Sequence, residues 1–107
     1  MAIFSEHATS YNGVIKILSD SQYIINFSVT LDTYIIVVKS KDTNDIKLFI
    51  TFNNLSFTHH DLKFGTTKYF ELDNLYDIFK HQLNWDVPQH IKDYIEGFWL
   101  MIKLIGA

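Results

Sequence analysis

The pattern of hydrophobic positions along the chain changes once, near Glu71. Before that residue, short apolar runs rich in Ile, Val, Phe and Tyr are separated by turn-forming residues, which is typical of strands. After it, apolar residues recur at spacings of three and four, which indicates helices. We therefore predict an α+β fold, in which residues 1–71 are mainly β and residues 72–107 form two helices.

The first part of the chain predicts an antiparallel β-meander of about five to six strands, because the apolar runs follow one another with only short turns between them. The runs span 14–18, 22–29, 34–39, 46–52, 57–64 and 67–72. Asn12-Gly13 is a hairpin signal, so a further, weaker strand is expected before it. The segments SKDTND and FGTT are expected to form hairpin turns, and SDS and LD are weaker turn signals.

The second part of the chain predicts two helices packed on one face of this sheet. The first helix carries an apolar stripe and ends near Trp85, and the second begins at Pro88, a residue suited to a first helical position. The two stripes consist of Leu72, Leu75, Tyr76, Phe79 and Leu83, and of Ile91, Tyr94, Ile95, Phe98, Ile102 and Ile105. No internal repeat or linker interrupts the pattern, so we expect residues 1–107 to form a single domain.

Composition excludes several classes of function. The chain has 107 residues and a net charge of −3, with no arginine and no cysteine. An acidic chain without the bidentate guanidinium group is a poor candidate for direct nucleic-acid binding. The absence of cysteine excludes a thiolate nucleophile and a cysteine zinc site. The N-terminus lacks a signal-like apolar run, and FWLMIKLIGA is too short to cross a bilayer, so we expect a cytoplasmic protein that does not bind membranes.

The stretch FTHHDLKF raises the question of a reaction centre. Adjacent residues of a strand point to opposite faces, so His59 and His60 cannot bind one metal ion together, whereas His59 and Asp61 share a face. A metal site would need a further ligand, and acid–base catalysis would need a substrate pocket. A small metal-dependent hydrolase using His59 and Asp61 is therefore kept as an alternative function.

Other catalytic patterns are weaker. The chain has no glycine-rich phosphate loop and no nucleophile elbow. Asp73, Asp77 and His81 share one face of the first predicted helix, but this face lies opposite the apolar stripe, where charged residues are expected. We predict a protein that is not an enzyme, with no catalytic residue, no metal and no cofactor.

The distribution of charge is the most distinctive feature. Residues 71–96 contain six carboxylates and two lysines, whereas acidic and basic residues balance over 1–70. The helical layer therefore carries the negative excess, and it could steer a basic partner toward itself. Trp85, at the helix junction, would anchor that partner if it were exposed. The predicted partner-binding residues are Glu71, Asp73, Asp77, Trp85, Asp86, Asp93 and Glu96.

These features favour a non-catalytic inhibitor that blocks a basic, nucleic-acid-acting protein by occluding its surface. A toxin immunity protein directed against a toxin or nuclease has this character, and a phage-encoded antagonist of a host defence enzyme is an alternative within the same class. A third alternative is a structural subunit that forms a homodimer or larger oligomer through the apolar C-terminal helix, residues 99–105.

Overall fold

The computed structural model describes residues 13–106 as a six-stranded antiparallel sheet followed by two helices. The strand order in the sheet follows the order along the chain, so the predicted meander and α+β fold are confirmed. The hairpin signal at Asn12-Gly13 and the weaker strand before it lie outside the described residues. The elements are β1 (Gly13–Ser19), β2 (Tyr23–Thr30), β3 (Thr33–Ser40), β4 (Ile46–Phe52), β5 (Phe57–Asp61), β6 (Gly65–Tyr69), α1 (Leu72–Leu83) and α2 (Gln89–Gly106).

Short, well-defined turns enforce the meander. Between β1 and β2, Asp20 Oδ1 accepts the backbone N–H groups of Gln22 at 2.8 Å and Tyr23 at 2.9 Å. Between β2 and β3, Leu31 and Asp32 have φ angles of 47° and 66°, and the flanking threonines pair. Two successive residues with positive φ are the signature of a type I′ hairpin, whose twist matches that of the strands. Consecutive strands are therefore neighbours in the sheet.

The predicted bounds of the last two strands are wrong. Strands were expected over 57–64 and 67–72, with a turn at FGTT, but β5 ends at Asp61 and β6 begins at Gly65. Asp61 Oδ1 accepts the N–H groups of Lys63 at 2.7 Å and Phe64 at 2.9 Å. A side chain that binds the backbone two and three residues ahead closes a turn at that point. Gly65 follows with a φ of 83°, which only glycine adopts readily.

The core lies between one face of the sheet and the two helices. Alternate residues of the central strands, such as Phe27, Ile36 and Ile50, are fully buried on this face. The Phe98 ring of α2 lies 5.1 Å from the ring of Phe27 and 5.7 Å from that of Phe52, both edge-on. Edge-to-face pairs of this kind contribute about 0.5–1.5 kcal/mol each beyond the area they bury. These contacts hold α2 against β2 and β4.

The opposite face of the sheet carries the residues that alternate with the core positions. Asn26 lies there between its cross-strand neighbours Ile17 and Val37. Its Oδ1 atom is buried and has no hydrogen-bond partner among the described residues. Phe49 and Ile17 also lie on this face, 37% and 55% exposed. The face is therefore of mixed polarity.

The junction between the helices is built by backbone hydrogen bonds. Helix α1 ends at Leu83, and Asn84 adopts a left-handed conformation with a φ of 51°, donating its N–H to Lys80 O at 2.9 Å. A residue of this conformation, glycine or asparagine, commonly terminates a helix. Pro88 lies just before α2 and not at its first position, and its carbonyl accepts the N–H groups of Ile91 and Lys92 at 3.0 Å.

Candidate functional site: an acidic groove between the helices

All six carboxylates predicted for the partner-binding surface are exposed on the helical layer. Among residues 13–106, one ion pair involves them, between Lys80 Nζ and Asp86 Oδ1 at 3.1 Å. Both side chains of this pair are more than half exposed, so the pair adds little to stability. The six residues are not one continuous patch, however, because the packing of the helices divides them. They are Glu71, Asp73, Asp77, Asp86, Asp93 and Glu96.

Three of the carboxylates converge on one cleft, which we call the acidic groove. It lies where the start of α1 meets the middle of α2 and has a volume of about 360 Å³. Glu71 is the residue just before α1, Asp73 lies in the first turn of α1, and Glu96 lies in α2. None of these three carboxylates forms an ion pair with a described residue. The groove is lined by Phe70, Glu71, Leu72, Asp73, Glu96, Trp99, Leu100 and Lys103.

Apolar side chains form the rest of the groove. Trp99 is buried, at 3% exposure, whereas Phe70 and Leu100 are 66% and 58% exposed. Lys103 Nζ lies 4.3 Å from the centre of the Trp99 ring, so this ring face already holds a cation. An incoming basic group would therefore contact the three carboxylates and the exposed apolar side chains of Phe70 and Leu100, which we call the apolar rims. The groove combines three carboxylates with exposed apolar surface, and binding interfaces pair an apolar and aromatic core with a polar rim in this way.

Tyr76 lies between the helices, where nearby carboxylates affect its pKa. Its hydroxyl donates to Lys92 O at 3.4 Å, which joins α1 to α2. Burial raises the pKa of Tyr76 above its usual value, and the charges of Glu96, Asp73 and Asp93 raise it further. Carboxylates of both helices therefore act on the same phenol. The negative potential of the helical layer is a property of the packed pair and not of either helix alone.

The remaining acids lie outside the groove. Asp77 and Asp86 line a separate cleft of about 240 Å³, together with Lys80 and Lys92. These lysines offset the two carboxylates locally. Asp93 Oδ1 accepts a hydrogen bond from Gln89 Nε2 at 2.8 Å, one helical turn earlier. The acidic groove is thus lined by three carboxylates and one lysine, Lys103, whereas the second cleft is lined by two carboxylates and two lysines.

Trp85 is not an exposed anchor, because it is 1% exposed. Its ring packs 5.0 Å from that of Tyr23 and 5.3 Å from that of Phe79. Its Nε1 donates to Asp20 Oδ2 at 2.7 Å, which satisfies the indole N–H inside the protein. Trp85 therefore ties the helix junction to the turn between β1 and β2, and we exclude it from the partner-binding residues.

Two groove residues, Phe70 and Leu100, were missed by the sequence reasoning. Leu100 lies off the buried stripe of α2, whose members are Ile91, Ile95, Phe98, Trp99 and Ile102. A helical projection of α2 would have shown Leu100 on its outer side, close to Glu96 one turn earlier. Phe70 belongs to neither β6 nor α1, so no periodic pattern accounts for it.

The two histidines of β5 have different environments. His59 is buried, at 7% exposure. Burial lowers the pKa of His59. The charge of Asp61 raises this pKa by a smaller amount, and His60 lowers it further. No hydrogen bond joins the His59 ring to another described residue. His60, on the opposite face, shares a hydrogen bond of 2.8 Å with Thr51 Oγ1.

His59 and Asp61 are the residues of the metal-dependent hydrolase that was kept as an alternative. Within residues 13–106, no three His, Asp or Glu side chains are grouped so that they could hold a metal ion. The Oδ1 atom of Asp61 already accepts two backbone hydrogen bonds in the turn after β5. These hydrogen bonds lower the pKa of Asp61, so this carboxylate stays ionised and is held in the turn.

The C-terminal half of α2 divides into a buried and an exposed side. Trp99 and Ile102, each 3% exposed, pack against the sheet, and Trp99 Nε1 donates to Asn53 O at 3.0 Å. Leu100 and Leu104 point away from the core, at 58% and 71% exposure. Residues 99–105 are the apolar segment on which the structural-subunit alternative rests, and the sheet covers only part of it. Among the described helices, none has the length and apolar character needed to cross a membrane.

Comparison of the chain with protein-family models, with curated proteins and with solved structures gave no match.

Proposed function

We propose that the protein is a non-catalytic inhibitor that binds a basic, nucleic-acid-acting protein through the acidic groove. A toxin immunity protein, or a phage-encoded antagonist of a defence enzyme, would act in this way. The observation that carries the proposal is the convergence of Glu71, Asp73 and Glu96 on one cleft, where none of them forms an ion pair with another residue of 13–106.

Electrostatics favours a cationic guest at this position. Like charges held together raise each other's energy, and a lysine or arginine side chain placed among them removes that repulsion. The attraction extends over about a Debye length, roughly 10 Å at 0.1 M salt, so it also accelerates the encounter. A target that uses lysine and arginine to hold phosphates would present the matching charge, and binding would cover the surface on which it acts.

The apolar rims supply the contact area that charge alone lacks. Exposed ion pairs contribute little net affinity, whereas desolvated apolar and aromatic groups dominate most interfaces. Phe70 and Leu100 flank the carboxylates, and both are more than half exposed. A basic side chain entering the groove would bring its aliphatic stem against these two residues. We expect the groove to form the centre of the interface, with Asp77 and Asp93 near its edge.

The test is capture of the partner by the tagged full-length protein in the organism that carries its gene, followed by washes at low and high salt. We expect one stoichiometric basic protein that is released by salt. The triple variant Glu71→Gln, Asp73→Asn and Glu96→Gln should lose this partner.

The matched control neutralises three exposed carboxylates of the sheet layer, Asp32, Asp42 and Asp45, by replacement with asparagine. It changes the net charge by the same amount and should retain the partner. Equal retention by both triple variants would reject the groove as the binding site.

A homo-oligomeric structural subunit is the second candidate, and the exposure of Leu100 and Leu104 is the observation that favours it. Large exposed apolar side chains one turn apart form a stripe suited to pairing with a second helix. Light scattering distinguishes the two functions. An oligomer that Leu100→Glu dissociates, with no foreign protein captured, would favour self-assembly, whereas a monomer would reject it.

A further inference from the structure

The ladder between β4 and β5 stops before either strand ends. The two strands pair at three positions, and the last pair joins Ile50 to His59. Strand β4 extends four residues beyond this pair, to Ile46, and β5 extends to Asp61. The facing edges therefore separate, and a cleft of about 510 Å³ lies between them, with Gln82 of α1 among its lining residues. We call it the strand cleft. Its volume lies in the range of small-molecule sites.

His59 is the polar group that gives the strand cleft its character. The side chain is more than nine-tenths buried and lines the cleft, yet it has no hydrogen-bond partner among the described residues. Burial lowers its pKa, so the ring is neutral and offers one N–H donor and one acceptor nitrogen. Because the ring makes no hydrogen bond with a described residue, its nitrogens are available to a ligand in the cleft, which would replace water as their partner.

The charged groups of the strand cleft favour an anion. Lys47 of β4 and Lys63 of the turn after β5 line its two sides, and Asp61 is its one carboxylate. Asp61 Oδ1 is occupied by the backbone N–H groups of Lys63 and Phe64. The groups that remain free to bind a ligand are therefore mostly hydrogen-bond donors: the two lysine ammonium groups, the Gln82 amide and the His59 N–H. This local excess of positive charge contrasts with the protein's net charge of −3.

The rest of the lining is apolar. Leu48 is buried, at 3% exposure, and the Phe49 ring stands edge-on to His60 at 5.4 Å between centres. Leu62, at the mouth, is fully exposed. A ligand with an aromatic or aliphatic body would cover Leu62 and contact Phe49. A bare inorganic anion would leave these surfaces in water.

We propose that the strand cleft binds a small organic carboxylate with an apolar body, whose carboxylate contacts Lys47, Lys63 and the His59 N–H. The site shares no residue with the acidic groove, so it would be a second activity of the protein. It is independent of the proposed inhibitor function, and either can fail without the other.

The test is a titration of the full-length, ¹⁵N-labelled protein with phenylacetate and with its neutral isostere phenylacetamide, followed by amide chemical shifts. We expect saturable shifts centred on residues 46–49, 59–63 and 82, with phenylacetate bound more tightly. Loss of one exposed ion pair corresponds to roughly a two- to fivefold change in Kd. Lys47→Ala should weaken phenylacetate by that factor, and the matched control Lys16→Ala, on β1, should not.

His59→Phe tests the buried imidazole, because it keeps an aromatic ring and removes both ring nitrogens. It should weaken phenylacetate binding while the spectrum retains the dispersion of a folded protein. If His59→Phe unfolds the chain, Lys47→Ala and the neutral isostere still decide the matter. The proposal is overturned by non-saturable shifts, by shifts centred elsewhere, by equal affinity for phenylacetamide, or by equal effects of Lys47→Ala and Lys16→Ala.

Discussion

Asp20 makes two separate sets of contacts, and replacing it by asparagine removes one of them. Its Oδ1 accepts two backbone N–H groups of the β1–β2 turn, and its Oδ2 accepts the indole N–H of Trp85 at 2.7 Å. An asparagine has one oxygen and one NH₂ group, so it can satisfy the turn only by directing a donor at the indole donor. Asp20→Asn therefore leaves the buried Trp85 N–H without an acceptor.

The expected loss is set by the burial of Trp85, which is 1% exposed, because water cannot replace the lost acceptor there. A hydrogen bond to a charged group contributes about 1.5–3 kcal/mol when its partner is left buried. For a chain of this size, a loss of about 2 kcal/mol lowers Tm by roughly 8–16 °C. Asp42→Asn, which changes an exposed carboxylate of the β3–β4 turn, should stay within about 0.5 kcal/mol of the wild type.

The pH dependence gives a second, independent readout. Burial alone would raise the pKa of Asp20, but hydrogen bonds from Trp85, Tyr23 and Gln22, with the charge of Lys41, lower it overall. A carboxyl whose folded-state pKa is depressed stabilises the fold above its unfolded pKa. It loses that contribution as the pH falls through the folded-state pKa. The difference between wild type and Asp20→Asn should therefore be largest near neutral pH and shrink below the reference value of 3.8.

Chemical denaturation of the wild type, Asp20→Asn and Asp42→Asn, at neutral pH and at two acidic values, measures both effects. The slope with denaturant should be the same for all three proteins, so that midpoints can be compared directly. If Asp20→Asn matched Asp42→Asn at neutral pH, the Trp85 bond would contribute nothing to the fold. A difference that stayed constant with pH would show that the carboxylate charge of Asp20 is not involved.

Two further predictions concern the core and the buried histidine. Phe98→Ala should lower the free energy of unfolding by about 3–5 kcal/mol, because this ring is 4% exposed and contacts several aromatic side chains. The control Phe64→Ala, at an 84% exposed position, should have little effect in the same denaturation assay. His59→Gln should flatten the dependence of stability on pH just below 6.5. Burial lowers the folded-state pKa of His59, so the neutral ring stabilises the fold above pH 6.5, and this contribution is lost as the pH falls. An unchanged slope for His59→Gln would show that the imidazole is not desolvated.

Local chemistry explains how much of the fold was predictable. Alternation in the strands, short turns and two amphipathic helices are sequence-local features, and together they lead to the meander and the order of its strands. The turn after β5 was misplaced because Asp61 was assigned to a strand, although an aspartate followed by turn backbone often binds the N–H groups ahead of it. Such a turn is local, and its signal was present in DLKFG.

The candidate site was less predictable, because it depends on contacts between distant residues. The burial of Trp85 rests on an acceptor, Asp20, that lies 65 positions earlier. The six carboxylates were correctly expected to be exposed, but their division into a groove and a lysine-balanced cleft follows from where α2 crosses α1. His59 and Gln82 of α1 line the same cleft, so the environment of His59 also depends on residues that are distant in the sequence.

Carboxyl-to-amine cross-linking of the protein with its captured partner tests the binding surface most directly. A zero-length reagent joins a carboxylate only to a lysine in direct contact with it, so the linked peptides identify the residues at the interface. The inhibitor proposal predicts links from Glu71, Asp73 or Glu96 to lysines of a basic partner, and their disappearance at high salt. Links that arise instead from Asp32, Asp42 or Asp45, on the sheet layer, would contradict it.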